Sequence, residues 1–483
     1  MTTTFSAPSP VSWIEANQQC LAAEFERLKR RLSRDGDPDD DESRLGQSAT
    51  RLSFGRLSDG ATEGPVTTDA ARAAMSAPPA IDQLADACGL SAFERDVLLL
   101  SAGVEMDAEL AARCDSAGAD ARRPGLTFGL ALAALQGAHW SALAPVGPLR
   151  RWRLVEVDDA AGLARGRVRI DERILHYLAG VNYLDVRLRS LVRVAAVPMT
   201  MADTHRTVRD LVHLALERGA AGEAPLVWLI GDDPMGQADV AADVASALGL
   251  SLHVLQAQDI PAGHAEVEAL VTLWEREAML LGSALLVSAG DESAGAAPDA
   301  VPGAARRFLE RLRGLVFVSA GRAQAVDRHA LRFAVDKPGA ADQKQLWQGA
   351  LGDSADGLGA TLDAVASQFK LSARAIQAEA AELQATLPAS NRPADILWSA
   401  CRAIARSRLD DLAQRIDAAA EWDDLVLPDA QKDTLRQIGA HMRTRLKVHV
   451  AWGFGDKGTR GLGITALFAG ESGTGKTMAA EVL

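Results

Sequence analysis

The sequence predicts a multidomain protein: a mainly α-helical N-terminal region followed by α/β phosphate-loop modules with a helical lid. Three observations carry this. Near the C-terminus, Gly470-Glu471-Ser472-Gly473-Thr474-Gly475-Lys476-Thr477 lies between an apolar run and a segment of helical composition. A loop with the same glycine spacing but no lysine begins at Gly231, 239 residues upstream. Between about 204 and 320 the hydrophobic pattern becomes short apolar runs alternating with helical stretches, as in a parallel sheet covered by helices.

A chain of 483 residues, 48% of them hydrophobic, can hold about three domains with cores of their own. Low aromatic content (5%) with abundant alanine and leucine favours packed helices. The net charge of −13 argues against a nucleic-acid-coating protein, and the basic stretch His441 to Lys447 reads as a solvated helix face. No nucleic-acid partner is expected. Cys20, Cys88, Cys114 and Cys401 are scattered, with neither a zinc-ligand nor a disulfide spacing, which fits a reducing, cytoplasmic location. The N-terminus has no basic region followed by an apolar run, so no signal peptide is predicted. Pro124 to Leu149 carries no charge, but Gly125, Gly129, Gly137, His139 and Pro145 interrupt it. It reads as a buried helix plus loop, and no membrane association is expected.

Taken in order, Leu21, Phe25, Leu28 and Leu32 are spaced four, three and four apart and make one stripe of an amphipathic helix within 1–33. Its stripe faces either a partner or its own domain, the second being the simpler reading. Residues 34–79 are rich in Ser, Gly, Thr, Asp and Ala and read as a disordered acidic linker. A mainly helical domain follows over 80–203, with helices through Ile81–Ala85 and Phe93–Leu100 joined at Gly89-Leu90-Ser91 and short strands within Leu149–Val157 and Val168–Ile170. Over 204–390 a degenerate module with a helical lid is predicted. Its strands are Leu226–Ile230, Ser251–Leu255, Ala284–Val287 and Leu315–Val318, and residues 340–385 turn wholly helical. A helical linker is read over 391–421, and a second module begins at 422 and runs to 483.

In the intact loop, Ile464–Ala469 is a strand-like run and Met478–Leu483 has helical composition, the context that a phosphate loop (Walker A) requires. The glycines let backbone N–H groups converge on phosphate oxygens, and the following helix turns its positive end to the same anion. The octapeptide Gly470, Glu471, Ser472, Gly473, Thr474, Gly475, Lys476 and Thr477 is thus the predicted nucleotide site for ATP. Lys476 reaches the β- and γ-phosphates, and Thr477 ligates Mg²⁺ through its hydroxyl.

In the upstream copy, Gln237 stands in place of the lysine and Ala238 in place of the metal-binding hydroxyl. A neutral amide cannot offset phosphate charge and alanine has no metal ligand, so this module has lost its phosphate chemistry. Asp291-Glu292 follows one of its strands, but Ser288-Ala289-Gly290 intervene, and the pair reads as ordinary loop residues. Ser319 ends the last strand at a sensor-like position and reads as an ordinary strand end.

Trp422-Asp423-Asp424-Leu425-Val426-Leu427-Pro428 and the run from Gly461 through the phosphate loop to Leu483 resemble the start of the second ATPase module in bacterial AAA proteins. These have a helical N-terminal region and a degenerate first module, and occur with contractile injection systems. The resemblance covers 420–483 at the level of motifs and 225–385 loosely. It implies a mainly α N-terminal region followed by α/β P-loop NTPase (AAA-type) modules with a helical lid. It also implies an ATP-driven remodelling or assembly factor acting on a protein client as a homo-oligomeric ring, commonly a hexamer. The alternative is a nucleotide-gated scaffold with little turnover. The chain stops seven residues after Lys476, before any second-module acidic pair, sensor or arginine finger, so by itself it is expected not to turn over ATP.

Overall fold

The computed structural model describes residues 10–34, 72, 75–117, 125–158, 162–219, 224–290, 301–386, 392–406, 420–446, 448, 452 and 464–483. Most of the segment read as a linker (34–79) and the Asp291-Glu292 pair lie outside the described residues.

Helix α1 (Pro10–Arg34) turns its predicted stripe inward: Leu21, Phe25 and Leu28 are buried in the N-terminal core and Leu32 packs against it. Charges at its margins add direction. Glu24 takes hydrogen bonds from Arg27 (2.7 Å) and Arg95 (2.8 Å), and Lys29 pairs with Asp107 at 2.7 Å. The stripe therefore serves the helix's own domain. Helices α2 (Ala80–Cys88) and α3 (Ala92–Met106) follow. The break between them has two local causes: Gly89 closes α2 in the left-handed region, and Ser91 opens α3 in a capping box with Glu94.

After α4 (Ala108–Ala117), the uncharged stretch splits into α5 (Phe128–Ala134), a 3₁₀ turn (Trp140–Leu143) and α6 (Pro148–Arg151). Among the described residues, no helix is long and apolar enough to cross a membrane. Strands β1 (Val155–Val157) and β2 (Val168–Ile170) pair antiparallel, and α7 (Glu172–Leu178) follows. The predicted strand within Leu149–Val157 is thus confined to its last three residues, because Pro148 starts a helical turn.

The larger sheet has six strands. Between β3 (Val192–Val194) and β4 (Leu226–Ile230) lies α8 (Asp203–Arg218); α9 (Pro234–Ala247), β5 (Ser251–Gln256) and α10 (His264–Leu281) follow. Then come β6 (Ser283–Ser288), α11 (Gly303–Arg311), β7 (Val316–Ala320) and β8 (Ala330–Ala334). The spatial order is β3-β5-β6-β7-β4-β8. β5, β6 and β7 run parallel, and β3 adds an antiparallel edge. The apolar runs are buried on both faces, as a helix-covered parallel sheet requires: all five residues of β7 and the first four of β4 are buried.

Two compact units divide the chain. The first comprises Met1–Val197, Leu214–Leu229 and Ala241–Arg332, the second Pro198–His213, Ile230–Val240 and Phe333–Leu483. Within the first, a buried ion cluster ties the N-terminal region to α10. Arg276, fully buried, donates to Asp185 (2.5 Å) and to the Arg153 carbonyl (3.0 Å), and Arg173 donates to Glu277 at 3.0 Å. Such clusters hold position more than they stabilise, because desolvation offsets most of the attraction.

Within the second unit, α12 (Ala340–Leu351), α13 (Gly359–Gln368), α14 (Ala373–Thr386) and α15 (Pro393–Arg406) share one core built on Trp347, Leu362, Val365, Ile376 and Leu397. Helix α15 lies in the segment read as a linker, yet its Leu397 and Cys401 are fully buried in this core. Further on, α16 (Asp429–Leu446) and α17 (Lys476–Val482) meet around a small core of Leu425, Leu435 and Ala479. The expectation of a strand at Ile464–Ala469 is corrected: residues 464–470 form none, and Leu467 is 91% exposed. An apolar run becomes a strand only when neighbours complete its ladder, and none does so among the described residues.

Candidate functional site

The intact loop is brought together as a compact turn at the start of α17. Gly473 and Gly475 adopt φ of +84° and +79°, a region that residues with a Cβ rarely enter, and Gly475 caps the helix. Lys476, the first residue of α17, folds back across the loop. Its Nζ donates to the carbonyl oxygens of Gly470 (3.0 Å) and Glu471 (2.5 Å). Thr474 Oγ1 donates to the Glu471 carbonyl at 2.8 Å, which tightens the turn. Glu471, Ser472 and Thr477 are exposed. The ammonium group is thus held at the loop by two backbone carbonyls, and the Thr477 side chain is exposed. Glycine conformation, an ammonium group at the loop and an exposed hydroxyl fit a nucleotide phosphate with its magnesium.

The upstream loop keeps the first and last of the three glycines (Gly231 and Gly236), has Pro234 in place of Gly473, and has the opposite interior. Gln237 reaches back as Lys476 does, its Nε2 donating to the carbonyls of Gly231 (3.2 Å) and Val335 (3.4 Å). It carries no charge. The loop's N–H groups have taken carboxylates from the protein itself: Gly236 N–H donates to Asp233 (3.1 Å) and Asp232 N–H to Asp336 (3.1 Å). In return, the Lys337 N–H donates to Asp232 at 2.7 Å. The segment after β8 presses on the loop so closely that a Cβ on Gly231 would lie 2.4 Å from the Val335 carbonyl oxygen. On the other side His205 Nε2 meets the Asp336 carbonyl at 2.8 Å, and its ring borders Gly236. Asp233 is 1% exposed, and burial pushes its carboxyl above the usual carboxylate range.

Two residues of the lid complete the picture. Arg374, at the start of α14, donates to Asp239 of α9 at 2.6 Å, and Ser372 donates to Met235 at 3.5 Å. Burial pushes the Asp239 carboxyl up, and Arg374 pulls it back. His205, Asp336 and Arg374 lie outside any motif and 26 or more residues from the loop in sequence, so no spacing could point to them. Of the arginines after β7, Arg328 donates to the carbonyls of Ala224 (2.6 Å) and Gly314 (2.7 Å), an arrangement that pins chain segments.

Comparison with known families finds two matches. Residues 339–407 match the family described as contractile injection system ATPase helical domain. Residues 13–192 match the family described as winged helix domain, variant. No curated protein matches the chain. The first match coincides with the four-helix lid α12–α15, and the second runs from α1 to β3. The lid is therefore similar to the helical domain of contractile injection system ATPases, and the N-terminal region to a winged-helix domain.

Proposed function

We propose that the protein is an ATP-binding AAA-type ATPase of a contractile injection system that remodels or assembles a protein client. Its single phosphate-binding site is Gly470–Thr477. The observation that carries this is the intact octapeptide, with Lys476 folded onto its own loop, in a chain whose lid is similar to such ATPases. In this reading the N–H groups of Gly473, Thr474 and Gly475 hold phosphate oxygens, Lys476 exchanges its two carbonyl partners for the β- and γ-phosphates, and Thr477 ligates Mg²⁺. Bound Mg²⁺ would neutralise charge on the same oxygens. The complete protein works as a homo-oligomeric ring, a hexamer by the resemblance, with the degenerate module as its frame.

The test is MgATP binding by protein carrying the whole second module, measured by calorimetry. Lys476→Ala should weaken it by about 1.5–3 kcal/mol, roughly ten- to a hundredfold in Kd. An unchanged Kd would overturn the assignment. Tight binding without turnover would instead favour the nucleotide-gated scaffold.

A further inference from the structure

The upstream loop and the lid meet in one unit, and their contacts answer a question that the missing lysine leaves open. A phosphate loop can lose its lysine and still hold a nucleotide through backbone N–H groups, because those groups do not depend on side-chain identity. Here that capacity is reduced. Of the positions that match Gly473, Thr474 and Gly475, Pro234 has no N–H and the Gly236 N–H is taken by the Asp233 carboxylate, while Gln237 fills the interior, itself fully buried. A polyphosphate approaching the loop would have to displace the buried Asp233 carboxyl, expel the 335–336 segment that lies against Gly231, and sit beside an acidic group. The loop is filled from within.

The lid contacts continue the theme. In a nucleotide-dependent module, a lid helix closes on bound nucleotide, and its position reports occupancy. In this chain the lid helix α14 closes on the protein. The Arg374 guanidinium binds Asp239, whose side chain is 2% exposed, on the helix that leaves the filled loop. The lid segment also contributes the Ser372 contact to Met235, and Asp342 of α12 accepts from the Thr204 hydroxyl at 2.6 Å. Each contact joins the lid directly to α8 or α9.

We infer that the first module is a self-filled, nucleotide-independent clamp: its own Asp233 and Gln237 side chains occupy the loop, and the Arg374–Asp239 pair holds its lid closed whether or not ATP is present. The inference rests on the reading of Gly470–Thr477 as the sole nucleotide site, and two measurements separate the fates of the two. The first is the MgATP stoichiometry of protein carrying the complete second module. One nucleotide per chain is expected, its Kd raised roughly ten- to a hundredfold in Lys476→Ala. A second equivalent, or binding whose Kd is the same in wild type and Lys476→Ala, overturns the filled-loop inference. No binding by the wild type instead defeats the reading of Gly470–Thr477 and leaves the upstream loop empty as inferred.

The second measurement is hydrogen exchange across 373–386 in the same protein. Asp239→Asn and Arg374→Leu should each speed exchange there about tenfold relative to wild type. Wild-type protection of α14 should not change on adding MgATP in the Lys476→Ala background. Protection that rises with MgATP in that background, or that is unaffected by both substitutions, overturns the clamp. Arg374 is partly exposed, so Arg374→Leu loses the pair without leaving a cavity.

Discussion

Lys476 and Gln237 occupy the same step of two loops built on the same glycine spacing, and both reach back to the carbonyl of the first glycine. The difference is one charge. The lysine arrives with an ammonium group that phosphate can recruit. The glutamine arrives satisfied and neutral, and the buried Asp233 carboxyl caps the turn it sits in. That the upstream loop lacks phosphate chemistry is legible from Gln237 and Ala238 alone. That Asp336 meets it is not, because Asp336 follows β8, 104 residues on from Asp232 in sequence. The packing makes a prediction at this scale. Gly231→Ala places a Cβ 2.4 Å from the Val335 carbonyl oxygen at a φ of +142°, so it should cost about 1–3 kcal/mol by denaturant unfolding. Gly249→Ala, at φ +73° with open space around its Cβ, is the control and should cost about 1 kcal/mol. Equal, negligible losses at both sites would mean that the 335–336 segment does not lean on the loop.

At the scale of elements, period carried most of the reading and partners carried the rest. The four-three-four spacing of Leu21, Phe25, Leu28 and Leu32 announced α1, and the acid–base pairs along it, invisible to spacing, set what it packs against. Leu28 is fully buried, so Leu28→Ala should destabilise the N-terminal region by about 2–5 kcal/mol. Arg30→Ala, on the exposed face, should stay within about 0.5 kcal/mol. Urea midpoints followed by near-ultraviolet signal separate the two, and a Leu28→Ala loss below that of Arg30→Ala would place α1 outside the core. Elsewhere period misled or fell silent. Ile464–Ala469 has the composition of a strand but joins no ladder among the described residues. Helix α15 has an amphipathic pattern that says it packs, though not on what; the lid core decided. Strands β3 and β8 were not foreseen: β3 is three residues long, and β8 is interrupted by Arg332 and has no buried position, so neither reads as a buried apolar run.

Across the whole molecule, the first unit is held by carboxylates whose pKa values move in both directions. Burial raises Glu24, but hydrogen bonds from Arg95 and Arg27 outweigh it and hold the carboxyl below its ordinary value. Asp107 is likewise raised by burial and lowered further by Lys29; Asp185 is raised by burial and lowered further by Arg187; Glu109 is lowered by Arg113 and Lys29. For such groups the stability is present above the unfolded carboxylate range, about pH 4, and is lost as pH falls through the depressed values. Glu277 is pushed up by burial and contributes in the opposite sense, its share being lost as pH rises through its folded value. Four lowered groups against one raised predict that the denaturation midpoint of this unit falls between pH 5 and 3, checked by urea titration at each pH; a midpoint that rises over that interval would contradict it. The glycine-rich octapeptide Gly470–Thr477, the replacement of its lysine by Gln237 upstream, the order of helical and α/β regions and the buried stripe of α1 were legible in the sequence, because glycine spacing, charge and hydrophobic period are local properties. The tertiary structure was needed for the packing of α15 with α12–α14, the Asp233 cap on Gly236 and the Arg374–Asp239 pair. Those contacts join groups up to about 135 residues apart, and which buried acid meets which N–H or guanidinium depends on the packing of whole elements, which no local pattern encodes.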